Sequence, residues 1–221
     1  MHALVTGANR GIGLELTKQL LASGAQVTTP VRQISEALSH SGAEVLAPFD
    51  LASPEAISEL ASKLSGRSID CLILNAGLLH DDTLATLDTS GEHLLQQFKV
   101  NALAPLLLVN ALLSHLSPGA KIALITSRMG SVGDNSSGKH YGYRMSKAAL
   151  NAAGKSLAID LKERGISVAI LHPGFVRTRM TGGQGMIDAD ASAKGLLARI
   201  DALNLANSGS FWHMDGQILP W

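Results

Sequence analysis

Short apolar runs alternate with helix-spaced segments about seven times along this chain, with no break in composition between them. Met1–Thr6 opens as an apolar strand. From Gly11 onward Ile12, Leu16 and Leu20 recur at helical spacing, and Gly24 closes that helix. Gln26–Val31 reads as a second strand, a short helix follows from about Ser35, and Glu44–Pro48 reads as a third strand ending at Asp50. Ser53-Pro54-Glu55 supplies a capping serine and a first-turn proline for a helix that runs to Leu64. Cys71-Leu72-Ile73-Leu74, bounded by Asp70 and Asn75, is the continuous apolar run of a strand buried on both faces. A long helix is expected over Ser90–Leu116, a strand over Lys121–Thr126, a helix over Ser146–Arg164 and a strand over Ser167–Leu171. A helix over Asp190–Asn204 and a last strand over Ser210–Met214 complete the pattern. Such alternation predicts an α/β fold: a Rossmann-like, doubly wound parallel sheet with helices on both faces, in a single domain over 1–221.

Composition narrows the function classes. The 221 residues suffice for one sizeable core and are few for two. Hydrophobic residues at 46% against 16% charged describe a filled core rather than a disordered chain. A formal net charge of zero gives no general attraction to nucleic acid or to an anionic membrane, so neither is expected as a partner. The single cysteine, Cys71, rules out an internal disulfide and fits a reducing compartment. Gly7, Asn9 and Arg10 interrupt any apolar leader, and no apolar run approaches the roughly 18 residues of a membrane helix. A cytoplasmic protein without a membrane span is the expectation. The eight histidines show no ligand-like pairing, so no metal is expected.

The turn Thr6-Gly7-Ala8-Asn9-Arg10-Gly11-Ile12-Gly13 lies where the first strand meets the first helix. Gly7 permits a tight turn, while Gly11 and Gly13 allow a ligand and the backbone to approach the helix N-terminus. Free N–H groups and the helix dipole there suit a pyrophosphate. The spacing is G-x3-G-x-G rather than G-x-G-x-x-G. Glycines alone would describe an ordinary turn; the strand before and the periodic helix after favour a dinucleotide, with Gly7, Asn9, Arg10, Gly11, Ile12 and Gly13 as its candidate contacts. Arg10 within the turn and Arg32 just past the second strand bear on the choice of dinucleotide. An acid near Arg32 would bind ribose hydroxyls, whereas a base matches a 2′-phosphate, and Thr28-Thr29-Pro30-Val31-Arg32 contains no acid. NADP(H) is therefore favoured, with NAD(H) left open.

Asp50-Leu51 after the third strand and Asn75-Ala76-Gly77 after the fourth lie at the C-terminal edge of the sheet, where ligands bind in such folds. Asp50 suits an adenine amine or a plain turn. Asn75 suits either ligand contact or bracing of neighbouring strands through its amide. Tyr143 stands four residues before Lys147 at a helix start, which places both on one face. By itself that pairing describes an ordinary helix surface. Asn101 lies four residues before Pro105, whose missing N–H leaves the Asn101 carbonyl without its helical donor.

Taken in order, Thr6-Gly7-x-x-x-Gly11-x-Gly13, Asn75-Ala76-Gly77, Asn101, Ser127, Tyr143-x-x-x-Lys147 and Pro173-Gly174 resemble the short-chain dehydrogenase/reductase family over nearly the whole chain. Thr126-Ser127-Arg128-Met129-Gly130-Ser131, Tyr143-Arg144-Met145-Ser146-Lys147, Asp215-Gly216 and Leu219-Pro220-Trp221 more narrowly resemble its carbonyl-reductase-like branch, which includes the signalling protein C-factor. The resemblance implies that Tyr143 is a general acid/base, that Lys147 eases its ionisation and holds the nicotinamide ribose, and that Ser127 polarises a substrate carbonyl. It implies that the Asn101 carbonyl holds a water leading protons towards Lys147. It also implies that Pro173, Gly174, Val176 and Thr178 pass the nicotinamide, with Thr178 bonding its carboxamide. Gly182-Gly183-Gln184-Gly185 suggests a mobile, short lid at about 175–190. Tyr141 and the apolar Met129, Phe175 and Met180 fall to the substrate pocket or to packing. The implied partner is a small carbonyl or alcohol, and relatives pair as homodimers or homotetramers. The expected function is NADPH-dependent carbonyl reduction. The alternative is a dinucleotide-binding regulatory or signalling protein with secondary catalysis.

Overall fold

The computed structural model describes residues 1–221 and contains one sheet of seven strands in the order β3-β2-β1-β4-β5-β6-β7. The strands are β1 (His2–Val5), β2 (Gln26–Pro30), β3 (Glu44–Leu46), β4 (Ile69–Leu74), β5 (Leu116–Ile125), β6 (Ser167–His172) and β7 (Phe211–His213). Every pairing is parallel; Leu4 lies between Thr28 and Leu72, and Leu124 between Leu74 and Ile170. From β1 the chain winds outward through β2 and β3, then returns to the other side of β1 with β4 and winds on to β7. That reversal between β1 and β4 opens a crevice at their C-terminal ends, where doubly wound folds hold ligands.

Parallel strands covered on both faces turn successive side chains into two separate cores. On one face Leu4, Leu72, Leu74, Ile122 and Leu124 pack with Ile57 and Leu60 of α3 (Pro54–Lys63), Leu108 of α5 (Ala104–Ala111) and Leu150 of α6 (Tyr141–Asp160). On the other, Ala3, Val5, Cys71, Ile73 and Ile125 pack with Leu16 and Leu20 of α1 (Gly11–Ala22) and Leu196 and Ile200 of α7 (Ala189–Ala202). The short α2 is Glu36–Ser39, capped by Ser35 as the sequence suggests. No helix is long and apolar enough to cross a membrane.

Cys71 sits on the second of these faces, 2% exposed, and burial pushes its thiol up to about 12. A thiolate is the reactive form. Ellman's reagent is expected to find no thiol in the native protein and one after denaturation; rapid reaction of the native protein would mean that β4 opens far more readily than this packing allows.

Several boundaries differ from the sequence expectation. The helix expected over Ser90–Leu116 is α4 (Glu92–Phe98), a π-helical turn (Lys99–Leu103) and α5, which ends at Ala111. Pro105 has no N–H to give, and the π-helical turn lies just before it. β5 accordingly starts at Leu116 instead of Lys121: Ile69 pairs with Leu116, the register shifts, and Pro118-Gly119 interrupt the apolar pattern while the strand continues. α6 begins at Tyr141 rather than Ser146, and ends at Asp160 before a 3-10 turn (Lys162–Arg164) and Gly165 at φ +71°.

Candidate active site

The glycine turn is built for close approach. Gly7 (φ +70°) and Gly11 (φ +56°) adopt left-handed backbone that side chains avoid. A Cβ on Gly7 would stand 2.8 Å from the Ala76 Cα, and one on Gly13 would collide with the Gly7 carbonyl oxygen and stand 2.5 Å from Asn75 Nδ2. Of the two roles open to Asn75, the brace is present: its Nδ2 donates to the carbonyls of Thr6 (3.1 Å) and Gly7 (3.3 Å), tying β4 to the turn. Thr6 Oγ1 accepts from the amides of Asn75 (3.0 Å) and Ala76 (3.1 Å). At the head of α1, Arg10 makes no side-chain cap and the first turn carries no acid. Ile12 packs its side chain against the core, and no side chain caps the N–H groups at this helix start.

Asn9 joins the turn to the segment after β2, its Oδ1 accepting from the Ser35 amide (2.6 Å) and its carbonyl from Ser35 Oγ (2.7 Å). Arg10 adjoins one partner of that junction, and Arg32 precedes the other by three residues. Both arginines are exposed and neither makes an ion pair. Asp50 is exposed and accepts from the Ala52 amide (3.0 Å), a turn contact, whereas Leu51 contributes its side chain to the core.

Ser127, Tyr143 and Lys147 meet at the other side of the crevice. Ser127 follows the C-terminal end of β5 and is 8% exposed, its Oγ accepting from the Met129 amide (3.1 Å). The turn after it lies flat on α6, because Gly130 has no side chain: a Cβ there would stand 2.7 Å from the Lys147 carbonyl carbon. Asn151, one turn beyond Lys147, donates to the Gly130 carbonyl (3.2 Å) and accepts from Thr126 Oγ1 (2.7 Å). Lys147 Nζ donates to the Ile125 carbonyl (2.9 Å) and lies 5.7 Å from the centre of the Tyr143 ring. Burial pushes the Tyr143 phenol up to about 12, partly offset by a hydrogen bond with Ser127, and brings the Lys147 ammonium down to about 8. Desolvation thus dominates in the free protein and keeps the Tyr143 phenol protonated at physiological pH.

Asn101 is fully buried in the π-helical turn. Besides the carbonyl expected to be free, its side chain has a separate task. Oδ1 accepts from the Leu78 amide (2.7 Å), and Nδ2 donates to the Leu78 carbonyl (2.8 Å) and to Ser146 Oγ (2.9 Å). Ser146 Oγ in turn donates to the Tyr143 carbonyl (2.8 Å). A Cβ built on Gly77 would lie 3.5 Å from Asn101 Oδ1, 3.7 Å from Lys147 Nζ and 3.9 Å from Met180 Cε, so these groups converge on one point. Tyr141 is the first residue of α6, half-buried beside the cleft.

The segment after β6 closes over the crevice. Gly174 (φ +87°) turns the chain, Ser192 Oγ holds the Pro173 carbonyl (2.7 Å), and buried Val176 pairs with Ile187. Thr178 reaches the glycine turn, its Cγ2 3.5 Å from where a Gly11 Cβ would be. Thr181, which sequence reasoning missed, ties the start of the Gly182–Gly185 segment to its neighbours. Thr181 Oγ1 accepts from the Thr178 amide (3.1 Å) and lies 2.8 Å from the Val176 carbonyl and 2.6 Å from that of Gln184. Arg177 adds bonds to Asp188 (2.7 Å) and to the Gly185 carbonyl (2.9 Å). Phe175 and Met180 are about half exposed on this loop. Ser146, Thr181 and Asn151 had no sequence signal beyond lying near the motifs.

A family model described as short chain dehydrogenase matches residues 1–186. The chain is 38% identical over 224 residues to a 1-hydroxy-2-glutathionyl-2-methyl-3-butene dehydrogenase of Rhodococcus sp. (strain AD45), covering 99% of this chain and 98% of that protein. It is 42% identical over 155 residues to the C-signal of Myxococcus xanthus, covering 69% of this chain and 93% of that one. Among solved structures, NADPH-bound carbonyl reductase from chicken fatty liver superposes with a TM-score of 0.89 at 29% identity, covering 100% of this chain and 98% of that one.

Proposed function

The chain belongs to the short-chain dehydrogenase family and is an NAD(P)-dependent oxidoreductase, and from that premise we propose that it reduces small, partly apolar carbonyl compounds with NADPH. The observation that carries the reading is the convergence of Ser127, Tyr143 and Lys147 on the crevice that also holds the uncapped start of α1. A nicotinamide cofactor held against that helix start and the glycine turn supplies the hydride. Ser127 donates a hydrogen bond to the carbonyl oxygen and fixes its position. Tyr143, protonated in the free protein, gives its proton to the same oxygen. Lys147 draws the phenol towards ionisation, and a positive charge in the crevice assists it. The Asn101 carbonyl and the half-exposed Phe175 and Met180 take the roles of proton exit and apolar cleft wall.

Arg10 and Arg32 favour the 2′-phosphate, since both flank the Asn9–Ser35 junction unpaired and no acid stands at the end of β2. Arg32→Asp is expected to shift the ratio of NADH to NADPH affinity at least about tenfold towards NADH, equivalent to about 1.4 kcal/mol. An unchanged ratio, measured by fluorescence titration, would remove Arg32 from cofactor selection. The function itself is tested by following NADPH oxidation with benzaldehyde, acetophenone and menadione. Turnover of at least one is expected. The similarity to C-signal supports a second reading as a dinucleotide-binding signalling protein. Tight NADPH binding with no turnover of any carbonyl would favour it.

A further inference from the structure

We propose that Asp82 is a positioning residue for Tyr143, capping the catalytic helix α6 from a distant loop. The inference rests on the reading of Tyr143 as the proton donor. A helix start leaves backbone amides without partners, and the residue before the helix usually satisfies one of them with its own side chain. His140 stands in that place, in left-handed backbone (φ +51°), and makes no such cap. Asp82 answers the need from 59 residues away in sequence, in the loop after β4. Its Oδ1 accepts from the Tyr141 amide (2.5 Å) and its Oδ2 from the Gly142 amide (3.2 Å), while its backbone carbonyl accepts from the His140 amide (2.8 Å). Three successive amides thus end on one residue, which is only 7% exposed. A carboxylate at this end of a helix is also favoured by the helix dipole.

The next residue after these three is Tyr143. First turns fray, and a proton donor in a first turn needs its backbone held from outside. The loop bearing Asp82 is itself anchored: Leu78 is bonded through both amide and carbonyl by Asn101, and the His80 amide donates to Gln97 Oε1 (2.9 Å). Gly142 lies against Gln97 and Leu94 of α4, close enough that any Cβ would strike the Gln97 amide. Asp82 therefore transmits the placement of α4 and the π-helical turn to the phenol, alongside the Asn101–Ser146–Tyr143 chain of hydrogen bonds.

The test compares Asp82→Ala and Asp82→Asn with Ser53→Ala, which removes the cap of α3 far from the site. With NADPH and the best carbonyl of the panel, Asp82→Ala is expected to lower kcat at least about tenfold with the KM for NADPH within about twofold. Asp82→Asn, which keeps acceptor capacity for one amide, should recover at least a third of wild-type kcat, roughly the result of retaining one bond of two. Ser53→Ala should lower the melting temperature without lowering kcat. Amide hydrogen exchange, which needs no substrate, should speed up at 141–143 in Asp82→Ala and leave the remainder of α6 unchanged. Unaltered exchange at 141–143, or a kcat within about twofold of wild type, would overturn the proposal, as would a kcat loss matched by Ser53→Ala. If instead Tyr143→Phe is as active as wild type, the proton-donor reading fails and only the exchange result bears on the cap.

Discussion

Replacing Tyr143 by phenylalanine is expected to lower kcat for carbonyl reduction by at least about 100-fold while leaving NADPH affinity within a few-fold of wild type. The loss corresponds to about 2.7 kcal/mol of transition-state stabilisation. The substitution keeps the buried ring and removes only the hydroxyl, so the packing of α6 against the turn after Ser127 survives. Tyr141 offers no substitute, because it begins the helix two residues earlier and faces a different direction from Lys147. The sign of the pH dependence follows from the same burial. A phenol pushed up to about 12 is protonated throughout the neutral range and ready to act as an acid. The reverse reaction, alcohol oxidation, needs the phenolate and should accelerate as pH rises, for as long as the fold persists. Steady-state rates of wild type and Tyr143→Phe in both directions check these outcomes; a Tyr143→Phe enzyme with more than a tenth of wild-type kcat would remove the phenol from the mechanism.

Gly13→Ala carries the second large effect, on binding and stability together. The added methyl collides with the Gly7 carbonyl oxygen and stands 2.5 Å from Asn75 Nδ2, the group that bonds the Thr6 and Gly7 carbonyls. Neither neighbour is the free end of a flexible chain, so relief requires the glycine turn to move away from β4. Overpacking of this kind costs about 1–3 kcal/mol, and more where backbone must shift. The melting temperature should fall by several degrees, and NADPH affinity should fall at least about tenfold if, as proposed, the displaced amides hold the pyrophosphate. Gly24→Ala makes a useful contrast. Nothing lies within 4 Å of a Cβ at Gly24, and only its positive φ (+85°) opposes the change. It should therefore destabilise modestly and leave affinity alone. Equal affinity for NADPH in wild type and Gly13→Ala would mean that the turn does not hold the cofactor.

The layout was legible in the sequence wherever periodicity and punctuation agreed. Cys71–Leu74 read as a doubly buried strand because both of its faces are apolar, and Ser53-Pro54 announced α3 through local chemistry alone. Agreement failed where the chain overrode its own punctuation. Pro118-Gly119 look like a loop but sit inside β5, because pairing with Ile69 carries the strand past them. The cap of α6 was not legible, because no local pattern connects Asp82 to Tyr141. The site shows the same division. Asn75 was legible as a brace because a carboxamide after β4 has the carbonyls of the adjacent turn within reach. The bonds of the Asn101 side chain were not legible, since Leu78 and Ser146 come from other elements. The Lys147–Tyr143 relation was legible as proximity and not as energy: spacing cannot reveal that both groups are dry.

The central claim is direct hydride transfer to a carbonyl in the crevice lined by Ser127, Tyr143 and Lys147. It is tested most directly with NADPH deuterated at the transferable position of the nicotinamide, using a carbonyl from the panel and analysing the product alcohol by mass spectrometry and NMR. One deuterium on the carbinol carbon, from a single face of the nicotinamide, with the yield lost in Tyr143→Phe, is the predicted result. Product alcohol without deuterium, or labelled product formed equally well by Tyr143→Phe, would contradict it.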